Sequence, residues 1–132
     1  MSKNIPIGTR GEAVERVTFE HTLTAHSKEL PPVFSTPHMI RLMEIACFHA
    51  LLPYSEGDEI TVGTAIHVEH RAATGIGAEV RAEAVLEQIE GRFYIFRVTA
   101  HDGTQEIGRG HIHRTFVGVS RFMQKMSGRS AR

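Results

Sequence analysis

Between two prolines, Pro37 and Pro53, lies a segment that leaves few options for the rest of the chain: HMIRLMEIACFHALL. Met39, Met43, Ala46, Cys47 and Ala50 fall on one face at helical spacing, and Ile45, Phe48 and Leu52 fall on another. Ser35 and Thr36 both suit a helix cap, and Pro37 suits the first helical position. The spacing therefore predicts one helix from Pro37 to about Leu52. Because it is apolar nearly all round, other parts of the protein must cover most of its circumference.

The remaining periodicity shows what can cover it. Val14 to His26 alternates and reads as one or two short strands, and Ser27 to Pro32 is a loop closed by Pro31-Pro32. After the turn-rich stretch Pro53–Glu59 the period becomes two. Ile60, Val62, Ile66 and Val68 share one face of a strand reaching about Ala72. Glu79 to Glu90 forms the next strand, with Val80, Ala82, Ala84 and Leu86 on one side. Arg92–Ala100 follows a tight turn, and Asp102-Gly103 marks a hairpin into Gln105–Val117. Ser120–Met126 reads as a short helix.

One early helix followed by long antiparallel strands excludes a parallel βαβ fold. The prediction is an α+β domain in which a curved antiparallel sheet wraps a long central helix. At 132 residues the chain forms a single domain, 1–132, with flexible ends expected at 1–10 and 127–132. Open strand edges must be covered, and pairing two chains edge to edge does so, hence an expected homodimer.

Composition narrows the function. Lys and Arg number 15, as do Asp and Glu, but Val119–Arg132 holds four of the bases and no acid. The body of the chain is thus net acidic, which argues against a nucleic-acid partner. The basic end is either solvated or meets a small polyanion. The single cysteine, Cys47, excludes an internal disulfide and sits at a core position. No apolar run is long enough for a bilayer and the first eight residues lack a signal-peptide pattern, so no membrane partner and a cytoplasmic location are expected.

Glu44 is the anomaly, a carboxylate in the middle of the greasy helix. Burying it costs several kcal/mol unless it is hydrogen-bonded or paired. It is a candidate general base or nucleophile, or else half of an internal ion pair with Arg41. His70 shares a strand face with Ile66 and Val68, where a neutral imidazole can orient a nucleophile or simply fill the core. Thr36 is either a cap or a hydroxyl of the same site. Gly63, inside a strand, marks a bulge or a close approach, and its N–H or that of Thr64 can serve an oxyanion. Thr36 and Glu44 lie eight residues apart, about 12 Å along a helix axis. They cannot meet within one helix, so a site using both is predicted at a subunit boundary.

Other chemistries have weaker support. His111 and His113 share a strand face and form a possible zinc pair with His101 as a third ligand, but no metal is assigned. Gly75-Ile76-Gly77 is no dinucleotide fingerprint, Gly108-Arg109-Gly110 reads as a bent strand, and no GxSxG elbow is present.

The stretches VFSTPHMIRLMEIACFHALLPY and VGTAIHVEHRAATGIG, with VTAHDGTQEIGRGHIHR near the end, resemble the hotdog-fold acyl-CoA thioesterases that include fluoroacetyl-CoA thioesterase. The similarity runs from about Gly11 to Arg121. It implies a hotdog dimer, possibly a dimer of dimers, that hydrolyses acyl-CoA thioesters without a cofactor. It places the catalytic threonine, glutamate and histidine on Thr36, Glu44 and His70, the glycine beside the thioester carbonyl on Gly63, and a substrate-binding arginine on Arg114. Coenzyme A phosphates are expected near Arg114 or the basic end. The segment before the helix, Ala25–Phe34, is shorter than in the fluoroacetyl-specific enzyme. Its one aromatic, Phe34, stands where that enzyme has a lid with paired phenylalanines. A small acyl group of unspecified identity is therefore the expected substrate. Two rival activities fit the same pattern: a hotdog acyl-thioester hydratase or dehydratase, and a non-catalytic acyl-CoA binding protein.

Overall fold

The structure, a computed structural model, describes residues 3–130. In order it contains β1 (Arg10–Arg16), α1 (Thr36–Leu51), β2 (Glu59–His70), β3 (Glu79–Glu90), β4 (Phe93–His101), β5 (Glu106–Gly118) and α2 (Val119–Ser130). The five strands form one antiparallel sheet in the order β1-β3-β4-β5-β2, curved around α1. This is the hotdog fold.

Helix α1 begins one residue before its predicted start. Ser35 is the cap, its side chain accepting a hydrogen bond from the His38 amide, and Thr36 is already helical. Met39, Met43, Ala46, Cys47, Ala50 and Leu51 are buried against the sheet. Opposite them stands the inner face of β3, where Val80, Ala82, Ala84 and Leu86 are all fully buried, as their alternation predicted. Cover on the far side is incomplete within the chain. Ile45 and Phe48 are half-buried and Leu52 is 47 % exposed.

Three local expectations need correction. The strand predicted over Val14–His26 stops at Arg16 and gives way to two 3-10 turns, Phe19–His21 and Leu23–Ala25. Threonine hydroxyls compete for the backbone there: Thr22 Oγ1 donates to the Phe19 carbonyl at 2.6 Å. On β2, the ladder with β5 skips Thr64, between Gly63 and Ala65. This bulge inverts the alternation, so Ile60 and Val62 do not share a face with Ile66 and Val68. Lastly, the N-terminal segment expected to be loose is pinned. Ile5 is buried in the core, and Gly8 and Thr9 exchange backbone hydrogen bonds with Leu86 at 2.8 Å. Of the expected flexible C-terminal end, residues 127–130 continue α2. Residues 1–2 and 131–132 of those ends lie outside the described residues.

No helix among the described residues is long and apolar enough to cross a membrane.

Candidate active site

The chemistry-bearing residues gather in two places along α1, as the helix rise requires. At its start, Thr36 is released from capping by Ser35, and its hydroxyl shares a 2.8 Å hydrogen bond with His70 Nδ1 at the end of β2. The other ring nitrogen, Nε2, is buried with no hydrogen-bond partner among the described residues. Burial holds the imidazole below its ordinary pKa of 6.5, so it is neutral at pH 7. Phe34, only 1 % exposed, backs this corner. With Leu23, Val33, Thr36, His70 and Ala72 it lines a hollow of about 260 Å³.

Two turns further along α1, Glu44 opens into a groove of about 390 Å³ lined by Pro37, Ile40, Ile45, Phe48 and Arg114. Its side chain is 29 % exposed, so the carboxylate lies at the wall of the groove and can be reached. The predicted partner Arg41 instead binds Glu15 at 3.2 Å. Glu44 is held by Arg114, whose Nη1 donates to Oε1 at 2.7 Å. Glu44 is thus half of an ion pair, with Arg114 in place of Arg41, through a charge-assisted bond of the stronger kind.

Arg114 also departs from the expectation that it meets coenzyme A phosphates at the surface. It is 6 % exposed, and its other nitrogens donate to Thr61. It borders the groove only beside Glu44.

Gly63 faces the same carboxylate. A Cβ there would stand 2.2 Å from Glu44 Oε1, so any larger residue would have to displace the carboxylate. Thr64, the bulged residue, has an exposed side chain and no ladder partner.

Cys47 is fully buried, its thiol pushed up to about 12 by burial, which leaves it inert. His111 binds Glu87 at 3.0 Å, and among the described residues no group of three side chains is placed to hold a metal.

Thr61 was missed from sequence. The available signal was positional: it stands two residues before Gly63 and so shares its inward face, where a threonine needs a partner.

Comparison with known proteins identifies relatives of the chain and of its fold. The family described as fluoroacetyl-CoA-specific thioesterase matches residues 17–120. A fluoroacetyl-CoA thioesterase of Streptantibioticus cattleyicolor is 46 % identical over 98 residues, covering 74 % of this chain and 70 % of that protein. A solved structure of the fluoroacetyl-CoA thioesterase FlK superposes with a TM-score of 0.87 at 38 % identity, over 96 % of this chain and 98 % of the other. A thioesterase superfamily member from Thermus thermophilus gives 0.86 at 27 % identity, over 98 % of each chain.

Proposed function

The chain belongs to the fluoroacetyl-CoA-specific thioesterase family, and from that premise we propose that it hydrolyses a small acyl-CoA thioester through Glu44, Thr36 and His70. The observation that carries this reading is the Glu44 carboxylate, fixed by the Arg114 bond at 2.7 Å and facing the bare backbone of Gly63.

The thioester carbonyl is set against Gly63, with the N–H of Thr64, at the bulge in the ladder, as a donor to the developing oxyanion. Loss of one such donor costs about 3 kcal/mol in the transition state. Glu44 acts in one of two ways. As a nucleophile, its oxygen bonds to the carbonyl carbon, the C–S bond breaks, and the coenzyme A thiolate leaves to take up a proton. Water then cleaves the mixed anhydride to give the free acid. As a base, it removes a proton from water as the water oxygen bonds to the carbonyl carbon; the adduct then collapses, the C–S bond breaks, and the coenzyme A thiolate takes up a proton. The Thr36–His70 pair orients the second oxygen, and the neutral imidazole can relay a proton.

Thr36 and Glu44 remain about 12 Å apart along one helix. The reading therefore pairs two protomers through the free edge of β2, so that Thr36 and His70 of one and Glu44 of the other serve one thioester. The small hollow behind Thr36, walled by Phe34, favours a short acyl group over a long chain.

The test is thiol release from acetyl-, fluoroacetyl-, propionyl-, crotonyl- and 3-hydroxybutyryl-CoA. Free thiol from the short saturated esters is expected, with a large loss in Thr36→Ala and His70→Ala. Interconversion of crotonyl- and 3-hydroxybutyryl-CoA without thiol release points to a hydratase. Binding without turnover of any ester overturns the enzymatic reading.

A further inference from the structure

Arg114 offers its nitrogens unequally. One, Nη1, goes to Glu44. The other two go to a single residue: Nη2 donates to the Thr61 carbonyl oxygen at 2.7 Å and to Thr61 Oγ1 at 3.1 Å, and Nε donates to Oγ1 at 3.3 Å. Thr61 is 4 % exposed and Arg114 6 %, so neither can exchange these contacts for water.

A guanidinium is a rigid planar fork. Fixing two of its nitrogens fixes where the third points. Thr61 is β-branched with a stiff χ1, so its hydroxyl is a well-defined anchor. It sits on β2 opposite Phe116, two residues along β5 from Arg114, while Gly63, two residues on along β2, makes room for the carboxylate. One short stretch of β2 thus sets both the support and the clearance for Glu44.

We infer that Thr61 is a positioning residue for this site: it aims the Arg114 guanidinium so that Nη1 holds Glu44 Oε1 and Oε2 is left to act on the substrate or its water. Thr61 touches no reacting atom itself. The inference rests on the proposed thioesterase reading for its kinetic part and on the Arg114 geometry alone for its spectroscopic part.

The test compares Thr61→Val, which keeps the branched shape and loses the hydroxyl, with Thr61→Ser, which keeps the hydroxyl. Thiol release from the best acyl-CoA substrate is measured alongside ¹⁵N spectra of the arginine side chains. Thr61→Val is expected to lower kcat by roughly ten- to a hundredfold with KM within about threefold, and Thr61→Ser to restore most of kcat. In the wild type the Arg114 Nη resonances are resolved, because rotation of the fork is hindered. In Thr61→Val they merge. Wild-type kcat in Thr61→Val, or equal loss in Thr61→Ser and Thr61→Val, overturns the inference. If the wild type releases no thiol, the thioesterase reading fails, and the ¹⁵N comparison still decides whether Thr61 immobilises Arg114. Thr61→Ala, which adds no bulk, replaces Thr61→Val if that variant does not fold.

Discussion

At the scale of single residues, the site depends on backbone space as much as on reactive groups. Gly63→Ala places a methyl 2.2 Å from the present position of Glu44 Oε1. The flexible carboxylate must swing away and lose its Arg114 geometry. A displacement of that size lowers kcat by roughly a hundredfold, while the thermal transition moves little because the displaced atom is the end of a side chain. Steady-state kinetics beside calorimetry checks both halves. His70 makes a separate prediction. Burial holds its folded pKa below 6.5, whereas the unfolded chain titrates near that value. The unfolded state therefore takes up the proton first as the solution is acidified. The stability contribution of His70 is complete above pH 6.5 and is lost as pH falls from there through the lower folded pKa. Urea unfolding at pH 7.5 and 5.5 should show a smaller acid loss for His70→Asn than for the wild type. The sequence exposed Glu44 and His70 by themselves, because ionisable groups on apolar faces are anomalies of composition. Its local pattern could not pair Glu44 with Arg114, or Arg114 with Thr61. Arg114 is 70 residues from Glu44 and Thr61 is 53 from Arg114, and no local period links such positions.

Helix α1 and β1 meet unusually closely, and this contact sets how the sheet seats on the helix. A Cβ on Gly11 would fall 2.2 Å from the Ala46 carbonyl oxygen and 2.6 Å from the Ala50 amide nitrogen. Both are helix backbone and cannot turn aside. Gly11→Ala is expected to cost about 1–3 kcal/mol, read from the denaturant midpoint, by forcing β1 off the helix. The elements themselves were largely legible. Uniform periods of two and 3.6 marked β3, β4, β5 and α1 to within a residue or two, since one face of each packs on a single core. The errors fell where side chains override the period. Thr18 and Thr22 turn the chain after β1, and the bulge at Thr64 reverses the faces of β2. The bulge places Gly63 against a carboxylate that belongs to α1, a reason that lies outside the strand.

At the scale of the whole molecule, one protomer leaves surface that its fold does not close. Its accessible area is 7921 Å², against about 6,900 Å² for a compact monomer of this mass. Exposed apolar side chains lie at the open side of α1, at the free edge of β2 and on α2, whose Phe122, Met123 and Met126 are 39–50 % exposed. A twelve-residue edge strand with Ile66 42 % exposed invites pairing. Light scattering should give at least twice the 14.7 kDa chain mass. Ile66→Lys, a charge on that edge, should shift the protein toward monomer and lower thiol release in parallel. Unchanged activity in a fully monomeric variant would place the whole site within one chain. If the carboxylate of Glu44 performs the hydrolysis, Glu44→Gln, which keeps the shape and removes the charge, should abolish it. The measurement is single-turnover thiol release with saturating enzyme, alongside calorimetric binding of the same acyl-CoA. Binding within a few-fold of wild type and a release rate lower by at least about a thousandfold are expected. Release at a rate close to wild type, from a Glu44→Gln protein shown free of deamidation, would contradict that role of Glu44.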